Sequence, residues 1–484
     1  MTFNSWEFLL FYPIVALLYF VLPKKMRWPM LLVASYFFYM CYQAELVVLI
    51  LGTTFVSWIS SLVIERTDKL ALKRALLALT LTVSLGVLFF YKYFNFLSDS
   101  AFGIISALGG TPTPLEVNLI LPVGISFYTF QTLSYVIDVY RGDVKTERNF
   151  FFYALFVSFF PQLVAGPIER PGNLIPQLKA EHSFNKADFV KGSKHMIVGF
   201  FKKVCVADLV SIYVNAIYND VGTASTVGVI VATLLFAVQI YCDFSGYTDI
   251  AIGCARIMGI RLMQNFDHPY TSTSIKEFWA RWHISLSGWF KDYLYFPLGG
   301  SRVARWRHLM NLMIVFLVSG LWHGAAWTYV IWGALHGIYR VVGTLTEKSR
   351  DKLICKLGFT KTSTPVVIVR RIITIALVSF AWIFFRANST SDAIALVSAL
   401  FGNFENPIVA IKNMGFDAVG IITVICALIT LYIIDNMLTY DDSPDGSDML
   451  TARGSYIYFI WAIAFGFVLL LSMDMTSTFI YFQF

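Results

Sequence analysis

Charge is scarce in this chain. Only 14% of its 484 residues are Asp, Glu, Lys or Arg, and 57% are hydrophobic, whereas soluble globular proteins carry about 25% charged residues. Water is thereby excluded as the main solvent, and so are the disordered, collagen-like and small disulfide-stapled classes. Cysteine is also sparse. Cys41, Cys205, Cys242, Cys254, Cys355 and Cys426 form no C-x-x-C pair, so neither a disulfide framework nor a zinc cluster is indicated and no metal is expected. The G-x-S-x-G elbow, H-E-x-x-H, a Walker A loop and a dinucleotide fingerprint are missing. Serine hydrolase, zinc protease and ATP-driven pump are therefore poor fits. The 37 Lys and Arg against 30 Asp and Glu leave a net charge of +7. They fall in short clusters between apolar runs and form no single stripe, which fits juxtamembrane orientation signals and not nucleic-acid binding.

What is abundant is apolar length and aromatic rings. Phe, Tyr and Trp make up 17% of the chain, a surplus expected where rings anchor segments at a bilayer interface. A spanning helix needs about 20 apolar residues. Such runs lie near 5–23, 30–43, 46–64, 75–97, 119–140, 223–241, 308–322, 325–343, 367–385, 417–435 and 455–474. The expectation is an all-α polytopic membrane protein with about eleven transmembrane helices. Shorter or charge-bearing stretches at 149–166, 195–217 and 246–260 are read as re-entrant or interfacial helices. The first run, Phe8 to Leu22, is preceded by Glu7 and no basic residue and ends at Pro23-Lys24-Lys25. That is the reverse of a cleaved signal peptide, so a retained span is expected.

Basic residues alternate along the early loops. They are present at Lys24, Lys25 and Arg27, absent at Gln43-Ala44-Glu45, present at Arg66, Lys69, Lys73 and Arg74, absent over 98–118, and present at Arg141, Lys145 and Arg148. The positive-inside rule then puts the N-terminus outside. Arg302, Arg305 and Arg307, with Lys348, Arg350, Lys352 and Lys356, place both flanks of the 308–343 pair in the cytoplasm. The acidic 436–452 loop says little about topology. No repeat of 20 to 50 residues and no linker appears, so residues 1–484 are read as one membrane domain.

Ionisable residues inside apolar runs are costly and mark candidate sites. His323, in Leu321-Trp322-His323-Gly324, lies in a stretch with no charged residue between Arg307 and Arg340. Desolvation favours its neutral form, and a neutral imidazole can take a proton from a hydroxyl. Gly320 and Gly324 bracket it at small-x-x-x-small spacing, which permits close helix approach or a helix break. The plainer reading is a histidine hydrogen-bonded inside a bundle. His336, in Ala334-Leu335-His336-Gly337, reads as packing or interface. On one continuous helix it would stand roughly 20 Å from His323.

Lys276 to Tyr293 has apolar residues at 279, 282, 286, 289 and 290, helical spacing with too many charges for a span. It reads as a helix at the cytoplasmic face, with His283 among Trp279, Trp282 and Trp289, which line an entrance or simply face the interface. At Tyr241-Cys242-Asp243-Phe244-Ser245-Gly246-Tyr247-Thr248-Asp249, two carboxylates and several hydroxyls end an apolar run. They orient a histidine, hold a polar substrate portion or cap the next helix.

Six pieces in one order carry a resemblance: Leu121 to Gln131 (LPVGISFYTFQ), Pro161 to Ile168 (PQLVAGPI), Asp243 to Tyr247 (DFSGY), Asn265 to Tyr270 (NFDHPY), Phe278 to Leu286 (FWARWHISL) and Trp322-His323-Gly324. The chain resembles the membrane-bound O-acyltransferase family, in the bacterial branch of alginate O-acetylation and teichoic-acid D-alanylation. The match is best over about 5–345, with 346–484 less distinctive. The resemblance implies a helical core around a central tunnel. It implies an enzyme that passes an acyl group from a cytoplasmic thioester, acetyl-CoA or an acyl-carrier protein, to an extracellular polysaccharide, with no tightly bound cofactor. The family's near-invariant histidine falls on His323 and the branch's second histidine on His283, which makes both catalytic candidates. Substrate or tunnel candidates are Trp279, Trp282, Trp289, Asp243, Ser245, Tyr247, Trp322 and Gln131. The implied partner is an extracytoplasmic hydrolase-like acyltransferase, and the implied location is the bacterial cell membrane. D-alanyl transfer to teichoic acid is the nearest alternative. A polytopic transporter or flippase is the rival of another class.

Overall fold

The structure is a computed structural model that describes residues 1–437, apart from 112, 114, 118, 165 and 403, together with Gly466. The 455–474 run and nearly all of the 436–452 loop lie outside the described residues. Among the described residues every regular element is helical. In order these are α1 (Trp6–Val21), α2 (Lys24–Met40), α3 (Val47–Arg66), α4 (Leu70–Leu88), α5 (Phe94–Ala107), α6 (Ile125–Arg141), α7 (Phe150–Ser158), α8 (Phe160–Leu163), α9 (Pro171–Lys179) and α10 (Lys186–Phe200). There follow α11 (Leu209–Tyr218), α12 (Thr226–Ile257), α13 (Ile275–Arg281), α14 (Ile284–Phe290), α15 (Arg305–His323), α16 (Trp327–Lys356), α17 (Thr364–Arg386), α18 (Thr390–Gly402), α19 (Pro407–Asn413) and α20 (Ala418–Met437).

Five helices are long and apolar enough to cross a membrane: Ala44–Arg66, Leu70–Ala107, Thr226–Ile257, Thr364–Arg386 and Ala418–Asp435. Trp6–Val21 and Thr390–Gly402 are shorter apolar helices. The 308–322 and 325–343 runs are helical too, within α15 and α16.

The chain packs as two compact units. One comprises Met1–Met196 and Thr248–Met263, the other Ile197–Tyr247 and the described residues from Gln264 onward. In the first unit, α3 shows the inside-out logic of a membrane helix. Its buried positions are mainly small and polar (Thr53, Thr54, Ser57, Ser60, Ser61), while Val48, Phe55 and Ile59 are exposed. Lipid is as apolar as Leu, so burying such side chains gains little, and small residues let helices approach. The hydroxyls of Thr53, Ser57 and Ser61 are hydrogen-bonded, whereas Thr54 Oγ1 has no partner among the described residues. Ser61 Oγ donates to Ser57 O at 2.8 Å, and Ser57 Oγ meets Tyr153 OH at 2.8 Å.

Three local outcomes in the second unit bear on the sequence reading, and the first two differ from it. First, α12 does not end at Tyr241 but runs unbroken through Asp243 and Ser245 to Ile257, so neither residue caps a new helix. Gly246 explains the packing there. A Cβ on it would lie 2.7 Å from Gly199 O and 3.1 Å from Lys203 N, so only glycine lets α12 lie against the π-helical segment Phe201–Asp208. Second, the expected helix over 276–293 is broken at Trp282-His283 into α13 and α14. Third, His323 and His336 do not share a helix. The chain turns at Gly324-Ala325-Ala326 and α16 packs back on α15. A Cβ on Gly320 would sit 2.3 Å from Tyr329 O and 3.2 Å from Gly333 Cα, so the expected close approach at Gly320 is made with Gly333.

Candidate active site

His283 and Asn265 are joined by backbone before they are joined by side chains. Asp267 N–H donates to Arg281 O at 3.0 Å, and Ile284 N–H to Asn265 O at 2.9 Å, so a non-helical strip of chain lies along the α13–α14 break. That strip holds His283 at φ 45, a left-handed conformation that costs a non-glycine residue about 1–3 kcal/mol and persists only where the surroundings impose it. The Asn265 side chain completes the clamp. Its Oδ1 lies 3.1 Å from His283 Nδ1 and accepts from Ser285 N at 3.2 Å and Ser285 Oγ at 2.9 Å. Both Asn265 and His283 are fully buried. Burial pushes the His283 imidazole down to about 3, so it is neutral at physiological pH.

His323 is the last residue of α15, 3% exposed. Its ring centre lies 5.0 Å from those of Trp322 and Trp332, 5.4 Å from that of Phe385 and 6.5 Å from that of His283. Gly324 permits the turn that follows, because a Cβ there would strike the Tyr329 ring at 2.1 Å. The His283 ring also meets Phe244 of α12 edge-on at 4.7 Å and Trp322 at 5.9 Å. Residues from α12, the α13–α14 break, α15, α16 and α17 thus converge within the second unit.

His336 belongs to the same cluster, which the sequence alone did not show. Its ring lies 4.9 Å from Trp332. Trp279 Nε1 donates to His336 Nδ1 at 3.1 Å, so the proton of a neutral His336 sits on Nε2. That Nε2 and Trp332 Nε1 are buried with no hydrogen-bond partner among the described residues.

The remaining candidates separate. Trp279 and Trp322 touch the histidines directly. Trp282 stacks on Phe278 at 5.5 Å and packs on Phe266 and Trp382, one layer behind. Trp289 lies farther along α14, 5.0 Å from Tyr293. Asp243 is in an ion pair: Lys203 Nζ lies 2.6 Å from its Oδ1 and 2.9 Å from Asp208 Oδ1. Ser245 and Tyr247 are buried on α12, Ser245 Oγ without a partner among the described residues. Gln131 lies in the first unit, where its Nε2 donates to Phe156 O at 2.6 Å. Sequence reasoning missed Asn265 as a site residue, although it lies in one of the pieces that carried the resemblance. It also missed Trp332 and Phe385, whose type and spacing do not distinguish them from other core aromatics.

Among the described residues every regular element is helical, five of the helices are long and apolar enough to cross a membrane, and the histidines form a buried cluster, the features of a membrane protein. The membrane-bound O-acyltransferase family model matches residues 144–386, and the chain belongs to that family. It is 39% identical over 407 residues to the protein of Pseudomonas aeruginosa named "Probable alginate O-acetylase AlgI", covering 83% of this chain and 75% of that one. It is 34% identical to the peptidoglycan O-acetyltransferase of Helicobacter pylori, over 81% of this chain and 78% of the relative. It is 30% identical to the teichoic acid D-alanyltransferase of Bacillus subtilis, over 49% of this chain and 62% of the relative. The protein is a membrane O-acyltransferase.

Proposed function

We propose that the chain passes an acetyl group from a cytoplasmic thioester, acetyl-CoA or an acyl-carrier protein, across the bacterial cell membrane for O-acetylation of an extracellular polysaccharide. In this reading the N-terminus is outside and acyl transfer occurs within one membrane domain, around a tunnel that admits donor and acceptor from opposite faces. The observation that carries it is the buried pair His283 and His323, 6.5 Å apart between ring centres, in a chain whose O-acetylating relatives align over more than four-fifths of its length. D-alanyl transfer is the second reading, carried by a shorter alignment.

A thioester is already activated, so the enzyme orients the donor and moves one proton. His323 is the general base. It takes the proton of the acceptor hydroxyl as the oxygen attacks the acyl carbon, a role worth typically 10²–10⁴-fold. His283 positions the thioester arm or assists the leaving thiolate. Trp322, which packs against both His323 and His283, excludes water around them, and Trp279 does the same beside His336. A hydrolase-like partner outside the membrane then places the acyl group on the glycan.

The test is an assay of the purified full-length protein with acetyl-CoA and, separately, a D-alanyl carrier protein, alongside mass spectrometry of surface glycans from a deletion strain. Loss of acetyl groups with acetyl-CoA consumption is expected. Loss of alanyl groups alone favours the second reading, and solute movement across liposomes without thioester consumption overturns both.

A further inference from the structure

The ring of His283 has two nitrogens, and the Asn265 clamp decides which of them carries the proton. Ser285 N is a backbone amide and can only donate, so the Asn265 atom it meets at 3.2 Å is the carbonyl oxygen. With the amide turned over, its NH₂ would face that N–H. The same oxygen stands 3.1 Å from His283 Nδ1. Two lone pairs at that distance repel, so Nδ1 bears the hydrogen and donates it. In a neutral imidazole the other nitrogen is then an acceptor. His336, whose Nδ1 accepts from Trp279 Nε1, is held in the opposite tautomer.

We propose that Asn265 is a positioning residue that locks His283 as its Nδ1–H tautomer, so that His283 meets the thioester arm only as a hydrogen-bond acceptor, through Nε2, and does not protonate the leaving thiolate. This rests on the function proposed above and narrows its two roles for His283 to one. The matching donor chemistry is a pantetheine-type arm, whose amide N–H stands one ethylene unit from the thioester sulfur. The proton balance closes without His283. His323 takes the hydroxyl proton, the new C–O bond forms, the C–S bond breaks with its electron pair on sulfur, and the His323 imidazolium returns the proton to that sulfur. The left-handed backbone at His283 and the hydrogen bond from Ile284 N to Asn265 O serve the same end, because they hold the ring against the Asn265 side chain.

The experiment is ¹H–¹⁵N correlation spectroscopy of the full-length protein, labelled with ¹⁵N-histidine and held in nanodiscs at neutral pH. The His283 signal is identified by its loss in His283→Gln. A protonated Nδ1 and a bare Nε2 are expected. A protonated Nε2 overturns the inference, whatever the activity. In thioester assays Asn265→Asp, which keeps the acceptor oxygen, is expected to retain the tautomer and most turnover. Asn265→Leu is expected to lose the single tautomer and at least about tenfold in kcat. If Asn265→Leu folds with unchanged kcat and tautomer, Asn265 has no positioning role. If the tautomer is as expected but the protein consumes no thioester, the function reading fails and the clamp stands.

Discussion

The rings of His283 and His323 lie 6.5 Å apart, the first at a break between two short helices and the second at the last residue of a long one. Both sit where helical hydrogen bonding stops. There a side chain can leave the regular helix surface and turn into the space between elements. The aromatic rings of Phe244, Trp322, Trp332 and Phe385 pack around the two imidazoles in that space.

Replacing His323 tests the base assignment. His323→Ala is expected to insert normally and to lower O-acetylation by about 10²–10⁴-fold. Glycan acetyl content against membrane abundance measures it, and acetylation at the wild-type level removes the assignment.

Lys203 stands between two buried carboxylates, Asp208 and Asp243. Lys203→Met leaves both acids without this cation in a site that is about 2% exposed, and removing one partner of a buried pair costs about 3–5 kcal/mol. Thermal unfolding of the detergent-solubilised protein should show a markedly lower Tm. Lys203→Met combined with Asp208→Asn and Asp243→Asn should recover part of it.

Gly320 and Gly333 set the distance between α15 and α16. A side chain at Gly320 meets Tyr329 O at 2.3 Å, and one at Gly333 meets Phe316 O at 2.4 Å. Neither backbone atom can rotate aside. Gly320→Val is expected to separate the pair that carries His323 and His336 and to give little monodisperse protein by size-exclusion chromatography. A normal yield with full activity contradicts the close packing.

Glu169 in the first unit is buried, and burial pushes its carboxyl up from 4.5 to about 7 against hydrogen bonds from Met263 N and Asn173 Nδ2. The folded state therefore favours the protonated form. Its contribution to stability is fully present below pH 4.5 and is lost as pH rises through about 7. Glu169→Gln should flatten the fall of Tm across that window while losing roughly one hydrogen bond, about 1 kcal/mol. An identical slope in both proteins would rule Glu169 out as the titrating group.

Much of the architecture was legible in advance because solvent choice is written in composition. Long apolar runs must hydrogen-bond their own backbones in lipid, so they are helices, and α3, α4, α12, α17 and α20 fall where such runs were read. Asp243 shows the limit. Its polar neighbourhood looked like a helix end, yet a lysine on the π-helical segment Phe201–Asp208 neutralises it and glycine at 246 lets the helix pass. The lysine is distant in sequence, so no local pattern announced it.

Sequence alone determined that this chain is helical and lives in lipid, because those properties follow from composition and run length, and six ordered pieces of it carried the resemblance to the O-acyltransferase family. Tertiary structure decided which histidines meet, since His283, His323 and His336 come from three segments whose turns depend on packing. It also decided which nitrogen of His283 holds the proton, because a tautomer is chosen by the neighbour across the fold, here Asn265, and not by any residue beside it in the chain.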